Sequence, residues 1–423
     1  MAISYQKLLR QIELAGSCSH PVRLIGEMVN LATGEVGSKL LTVSCKDRRE
    51  QICPACSHLY KTDAWILVSA GLIGGKGIPE TIFEHPRLFA TLTAPSFGQV
   101  HVRRSDGSCH ARARGCCHHG APRTCSQSHE EGSAILGTPL CSSCFDYEGA
   151  VIWNAHASRL WNRTVEQLRY ELAANQGISL AELRSILKIS YLKVAEYQRR
   201  GLVHFHLVLR ADGPEVPFSA PPPWIDIDLL HTEFLEVIAK FEIVGLDGQC
   251  IRWGSQFDVK NLVDDRHDLR IASYVAKYAT KSTGDSIALA RRFHSSREID
   301  QLHVDPHLRS MAMTAWDLSA RPELETLKLR LHAHAFGFTG QLITKSRHFS
   351  TTFKDLRGSR REHMAQFNES DPVAGTFAYD GRGYDDPRAS ELAELLQRAR
   401  TEVRRDVRER RVISRGISQG ESL

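Results

Sequence analysis

The chain has 423 residues, 42% hydrophobic, 24% charged and 8% aromatic, and 54 Lys and Arg against 49 Asp and Glu leave a formal net charge of +5. These values exclude a wholly disordered chain, a small disulfide scaffold and a collagen-like repeat, and they supply apolar material for roughly two or three domains. The longest apolar run, Ala64 to Gly71, is far short of the ~20 residues of a membrane span. Met1-Ala-Ile-Ser-Tyr-Gln-Lys7 lacks the layout of a signal peptide. A soluble cytoplasmic protein with no membrane partner is expected. The mild positive balance, with 20 histidines behind it, permits a polyanionic partner without establishing one.

From the N-terminus, the cysteines come first. Ten of the eleven lie between Cys18 and Cys144, including the pairs Cys53-Pro-Ala-Cys56 and Cys141-Ser-Ser-Cys144. In a reducing compartment such C-x-x-C pairs read as metal ligands before disulfides, with redox pairs or ordinary buried thiols as the alternatives. Structural Zn²⁺ completed by two further ligands supplies folding energy to segments too short for a core. Two partitions are open. One is a four-cysteine site of Cys18, Cys45, Cys53 and Cys56 plus a second site from the 109–144 region, where Cys109, Cys116, Cys117, Cys125, His110, His118, His119 and His129 crowd together. The other is a single ribbon joining both pairs. Cys250 stands apart and is expected in the core.

Leu88-Phe-Ala-Thr91-Leu-Thr93-Ala-Pro95 alternates as a strand ending at a Pro-Ser turn. After Cys144 the pattern becomes helical: Trp153, Ala157, Leu160, Trp161, Val165 and Leu168 recur at spacings of three and four, predicting a helix from about 150 to 174. Ser179 and Glu182 form a capping box for a shorter helix. Two strands, 189–198 and 202–210, follow around Arg199-Arg200-Gly201. Residues 214–224 are Pro-rich and read as an excursion loop, 271–281 as a helix, and the tail from Ser390 as a charged helix.

The strand pair carries the chemistry. Alternation puts His204 and His206 on one face and Val203, Phe205, Leu207 and Leu209 on the other, toward a core. A three-residue connection with Gly201 last, in the left-handed region, sets 196 opposite 204. Glu196 then shares the face of the two imidazoles, a donor set suited to a catalytic divalent ion with open positions. A two-residue loop would shift the register by one and remove this alignment; the plainer alternative is a surface Glu196 pairing with Arg199 or Arg200. On the 271–281 helix, Tyr274 and Tyr278 share one face, while Lys277 and Lys281 lie on a neighbouring face, where positive charge would favour a phenolate. By spacing alone the tyrosines could equally be core packing with polar tips.

Phe89-Ala-Thr-Leu-Thr-Ala-Pro95, His204-Phe-His206 and Tyr274-Val-Ala-Lys-Tyr278, in this order and with Cys53-Pro-Ala-Cys56 upstream of all three, resemble the motifs of HUH endonucleases that initiate rolling-circle replication. The resemblance is to the two-tyrosine Rep initiators of actinobacterial plasmids and integrative conjugative elements, over some 260 residues. It implies an α+β fold, an HUH-type antiparallel sheet backed by helices, with zinc-knuckle modules and a mostly helical C-terminal part. The division it implies is a 1–80 zinc-knuckle module, an 81–285 nickase domain with a zinc insertion at about 105–146, a 286–385 accessory DNA-binding region and a 386–423 charged helical tail.

The same resemblance implies that His204, His206 and Glu196 hold one Mg²⁺ or Mn²⁺. A tyrosine hydroxyl would attack the scissile phosphate, leaving a 5′-phosphotyrosine and a free 3′-hydroxyl. Tyr278 is expected as the obligatory nucleophile, because a related branch carries glutamate at the position of Tyr274. Tyr274 is expected as a second nucleophile, with Lys277 and Lys281 orienting the phosphate or protonating the leaving oxygen. Thr91 and Thr93 are expected to contact DNA, as are Lys345 and Arg347, which open a basic stretch (Lys345 to Arg361) interleaved with Phe349 and Phe353, whose rings would stack on unpaired bases; the alternative for this stretch is a solvated basic loop. Partners would be double- and single-stranded origin DNA, a host helicase and a polymerase. The rivals are a two-tyrosine HUH transposase and a non-catalytic zinc-dependent DNA-binding regulator. A mobilisation relaxase fits less well, because its tyrosine generally precedes the histidine motif.

Overall fold

A computed structural model describes residues 5–50, 52–110, 115–215, 219–263, 270–275, 291–365 and 373–420. In chain order the elements are α1 (Tyr5–Leu14), β1 (Val22–Asn30), β2 (Val36–Val43), α2 (Pro54–Ile73), β3 (Arg87–Leu92), β4 (Ser108–His110), β5 (Cys125–Ser128), α3 (Tyr147–Asn175) and α4 (Leu180–Ile186). Then come β6 (Lys188–Tyr197), β7 (Val203–Asp212), α5 (Ile227–Lys240), β8 (Glu242–Val244), β9 (Cys250–Arg252) and β10 (Asp258–Asn261). Residues 270–275 form α6. The chain closes with α7 (Ser296–Asp300), α8 (Pro306–Leu318), β11 (Ile343–Lys345), α9 (Phe353–Ala365), β12 (Val373–Arg382) and α10 (Pro387–Gly420). The fold is a mixed α+β one with antiparallel sheets.

The expected elements recur with shifted ends. Asp146 accepts a hydrogen bond from the Gly149 amide at 2.9 Å, so α3 starts before Ala150, the first residue of the periodic pattern. Ser179 caps α4 by accepting from the Glu182 amide. The excursion at 214–224 carries no helix or strand among its described residues, and of the 271–281 helix only the part to Val275 is described.

Two compact units make up the chain, residues 1–64 with 353–423, and residues 65–352. This differs from the linear division expected. In the first unit β12 returns to pair antiparallel with β1, Val22 opposite Arg382 and Asn30 opposite Val373, giving a three-stranded sheet ordered β12-β1-β2. Leu8 and Ile12 of α1, with Ala15 just after it, bury against Ala389 and Ala393 of α10, with Cys18, Cys53, Cys56 and Tyr384 in the same cluster. The N-terminal cysteine module and the charged tail are therefore one body, a pairing across more than 340 residues that no local pattern announces.

The second unit is built on an antiparallel sheet ordered β10-β3-β7-β6-β11. Val203, Phe205, Leu207 and Leu209 of β7 are fully buried on one face. They share a core with Trp153, Leu160 and Trp161 of α3, Phe234 of α5 and Met311 of α8. Residues 306–338 thus complete this core instead of forming part of a separate accessory region: Met311, Ala315 and Phe336 are buried in it.

Burial does not alternate along β7 as a half-exposed strand would require, because Val208, Arg210 and Asp212 on the second face are buried too. One end of that face is covered; the other, at His204 and Glu196, is where solvent reaches. Cys250 is exposed, contrary to expectation. Its neighbour Ile251 is the buried residue of β9, and strand alternation turns Cys250 outward.

Candidate active site and metal centres

The β6–β7 turn sets the geometry. The Gln198 amide donates to the Leu202 carbonyl at 2.8 Å, the Gly201 amide donates to the Gln198 carbonyl, and Gly201 has φ +76°. That is a three-residue connection closed by a left-handed glycine, and it fixes Glu196 opposite His204 and Val194 opposite His206. Asn154 of α3 clamps the turn. Its Nδ2 donates to the Gly201 and Phe336 carbonyls, and its Oδ1 accepts from the Val203 amide.

Glu196 Oε2 lies 2.9 Å from His204 Nε2 and 3.2 Å from His206 Nε2. One ligand atom from each of the three residues falls within 4.8 Å of the others. Two imidazoles and one carboxylate, with the Glu196 side chain 10% exposed and that of His204 16% exposed, can hold a divalent cation while leaving positions open for a ligand on the solvent side. His206 is more deeply set at 2%, and Thr91 Oγ1 lies 3.1 Å from its Nδ1. A partner on the far nitrogen fixes the ring's orientation and tautomer.

Tyr274 on α6 is 40% exposed. Its ring stands edge-on to His206 at 5.2 Å between centroids and edge-on to Phe89 at 5.8 Å. The Trp65 indole donates to Ser273 Oγ at 3.3 Å, tying the second half of α2 to the same helix. The sheet and α6 therefore bring His204, His206, Glu196, Thr91 and Tyr274 together. Tyr278, Lys277 and Lys281 lie outside the described residues.

At the covered end of the same face of β7 lies a buried polar network with no sequence signal beyond its charged letters. Asp212 accepts from Arg210 Nε at 2.6 Å and from Nη2 at 3.0 Å, and lies 2.8 Å from His85 Nδ1. Arg210 also donates to the Gly71 and Phe349 carbonyls, and Arg87 to that of Leu72. Burial alone would raise the Asp212 carboxyl, but the hydrogen bond with His85 and the charge of Arg210 hold it below the usual carboxylate range. Alternation from His204 pointed to one face of β7, yet gave no hint that Arg210 and Asp212 on that face would be fully buried and paired.

The cysteines separate into three groups: Cys18, Cys45, Cys53 and Cys56; His101, Cys109, Cys125 and His129; and Cys117, His119, Cys141 and Cys144. Cys53–Cys56 and Cys141–Cys144 thus belong to different sites, which excludes the single ribbon. The 109–144 region contributes to two candidate groups where one site was expected, and His101 joins one of them as a possible donor that sequence reading missed. Cys116 belongs to none of the three groups. In the first group Cys18 and Cys53 sulfurs are 3.7 Å apart, as are those of Cys45 and Cys56. About 3.8 Å is the edge of a sulfur tetrahedron around Zn²⁺ at ~2.3 Å. Cys53 is held far below the ordinary thiol range by hydrogen bonds from Cys18 and Cys56, and Cys18 is driven up as donor. Crowded sulfurs sharing negative charge are what a soft cation compensates, so these donor sets fit zinc.

Of the expected DNA contacts, Thr91 engages His206 and Thr93 Oγ1 donates to the Gln256 carbonyl. Lys345 Nζ donates to the Ser350 carbonyl at 2.8 Å and more weakly to Ser346 and Arg347, while Arg347 is exposed. Phe349 is fully buried against Gly71 and Arg210, which corrects the expectation that it stacks on bases.

An α+β scaffold of antiparallel sheets with four metal-competent donor groups is what fold and sites define. A family model described as RepSA, replication initiator protein, pSAM2, matches residues 4–398. A replication initiator protein of Streptomyces ambofaciens is 36% identical over 428 residues, covering 94% of this chain and 90% of that protein. The chain belongs to this family of replication initiator proteins. No solved structure matches it. Among the described residues no helix is long and apolar enough to cross a membrane.

Proposed function

We propose that this initiator binds its origin DNA and nicks one strand by tyrosine transesterification, in the manner of a two-tyrosine HUH endonuclease, with the chemistry inside residues 81–285. The observation that carries the reading is the triangle of Glu196, His204 and His206 with the Tyr274 ring 5.2 Å from His206. A divalent ion of the Mg²⁺ or Mn²⁺ type, held by these three side chains, would supply Lewis-acid polarisation of the scissile phosphate.

The chain's own residues do the rest. Thr91 keeps His206 in one orientation. Tyr278, four residues on in the sequence, is the obligatory nucleophile in this reading, and Tyr274, 40% exposed with its ring 5.2 Å from that of His206, is the second. The tyrosine gives up its phenolic proton to solvent as its oxygen forms the new P–O bond, the bond to the 3′ oxygen breaks, and Lys277 or Lys281 orients the phosphate or donates the proton that the leaving 3′ oxygen takes up. Storing the phosphodiester on tyrosine allows later strand joining without a nucleotide cofactor. The three Cys/His groups are structural zinc sites in this reading. A host helicase and polymerase would take over at the free 3′-hydroxyl.

The test mixes purified protein with a labelled single strand from its own element's origin and Mn²⁺, and looks for an SDS-resistant adduct. The expected adduct requires metal, disappears in His204→Ala and in the Tyr274→Phe/Tyr278→Phe double variant, and the single variants report which tyrosine attacks. Tight origin binding with no adduct from any candidate strand would replace this reading with that of a zinc-dependent DNA-binding regulator.

A further inference from the structure

We infer that the first compact unit carries its own binding site for unpaired DNA, a basic cavity walled by α9 and floored by α2 that takes backbone phosphates and a base of a single strand. The cavity has a volume of about 840 Å³, and all its lining residues belong to the unit of residues 1–64 and 353–423. Five cations line it: Lys46, Lys354, Arg357, Arg360 and Arg361. The lining acids are Glu13 and Asp63, and Asp63 already pairs with Arg360. The surplus is positive in a concave site, which concentrates a polyanion.

The cavity also offers an aromatic element. The ring of Tyr60, a lining residue, stacks on Phe353 at 5.2 Å with a 12° interplanar angle. Arg48 lies 5.6 Å from the Tyr60 centroid and Arg357 lies 5.7 Å from that of Phe353. Alternating cations and stacked aromatics are the equipment of single-strand binding, where phosphates meet basic side chains and bases meet π-faces. A duplex keeps its bases stacked away from such a recess. Asp63 adds a recognition element: it is 1% exposed, and its Oδ2 has no hydrogen-bond partner among the described residues. A buried carboxylate oxygen wanting a donor is matched by the exocyclic amino group of a base.

This deepens the proposed function, since a nicked origin exposes single strand, but it does not depend on the nicking chemistry. It also reassigns the basic stretch at Lys345 to Arg361. Its C-terminal half, on α9, faces this cavity, whereas Lys345 and Phe349 are engaged in the other unit.

The experiment measures fluorescence anisotropy of a labelled mixed-sequence 20-mer, single-stranded or as duplex, with the full-length protein and no added Mg²⁺ or Mn²⁺. Wild type is compared with Arg357→Gln/Arg361→Gln, with Tyr60→Leu and with the charge-matched control Lys39→Gln/Arg398→Gln. The expected result is weaker single-strand binding by the arginine pair variant with a salt slope reduced by about 1.4, two phosphate contacts at ~0.7 each. Tyr60→Leu should lose roughly tenfold with little change in slope, and the control should bind as wild type. Arg357→Lys/Arg361→Lys should restore most of the affinity and all of the slope, which separates charge from folding. Unchanged single-strand binding in both cavity variants overturns the proposal. Tighter binding of duplex than of single strand through the same arginines also overturns it, in favour of a duplex phosphate clamp. Because nicking is read by the adduct assay, failure of one leaves the other standing.

Discussion

Thr91 Oγ1 on β3 lies 3.1 Å from His206 Nδ1 on β7, so the two nitrogens of one imidazole face different partners, with Glu196 Oε2 3.2 Å from Nε2. The register that sets Thr91 opposite His206 makes the threonine an orienting residue for the candidate ligand set. Removing its hydroxyl should weaken Mn²⁺ binding without opening a cavity.

Thr91→Val keeps shape and deletes that hydrogen bond. We expect Mn²⁺ affinity, measured by titration without DNA, to fall by about 10–100-fold with the thermal midpoint changed little. Affinity equal to wild type would mean the hydroxyl does not orient the ring.

The three Cys/His groups predict three zinc ions per chain by elemental analysis of the purified protein. Cys53→Ser should lower that count by one and destabilise the first unit, whose core contains Cys18, Cys53 and Cys56. Strong chelators should lower the melting temperature of wild type. Less than one zinc per chain in folded protein would refute the assignment.

Asp212, fully buried between Arg210 and His85, anchors the covered end of the site face. Asp212→Asn leaves Arg210 buried without its counter-charge and should cost about 3–5 kcal/mol in urea unfolding at pH 7. The folded carboxyl sits below its ordinary value of 3.8. Its contribution is therefore present above that pH and lost as pH falls through the lower folded value. The wild-type advantage over Asn should shrink in acid below pH 3.8. An advantage that grew on acidification would contradict the assigned sign.

Gly201 closes the turn at φ +76°, and a Cβ there would stand 3.2 Å from Met311 Cγ. Gly201→Ala should destabilise by about 1–2 kcal/mol from the left-handed backbone alone and weaken Mn²⁺ binding at Glu196 and His204. A neutral effect on both would show that the turn relaxes without disturbing the register.

The amino-acid sequence by itself determined what a period of two and a turn length can fix. His204 and His206 share a face, and a three-residue connection ending in Gly201 brings Glu196 to them, because the strand repeat and the turn are local. The C-x-x-C spacings likewise declared ligand pairs, since two residues between sulfurs suffice to present both to one ion.

Tertiary structure alone decided the partners of those local units. It joined Cys53 and Cys56 to Cys18 and Cys45, divided the 109–144 region between two candidate groups with His101 in one of them, and set Thr91 against His206 across 115 residues. It returned β12 to β1 and buried Arg210 with Asp212 and His85. Such pairings follow from which faces bury together and which charges compensate once packed, and those are properties of the folded interior, not of any stretch of chain short enough to read as a pattern.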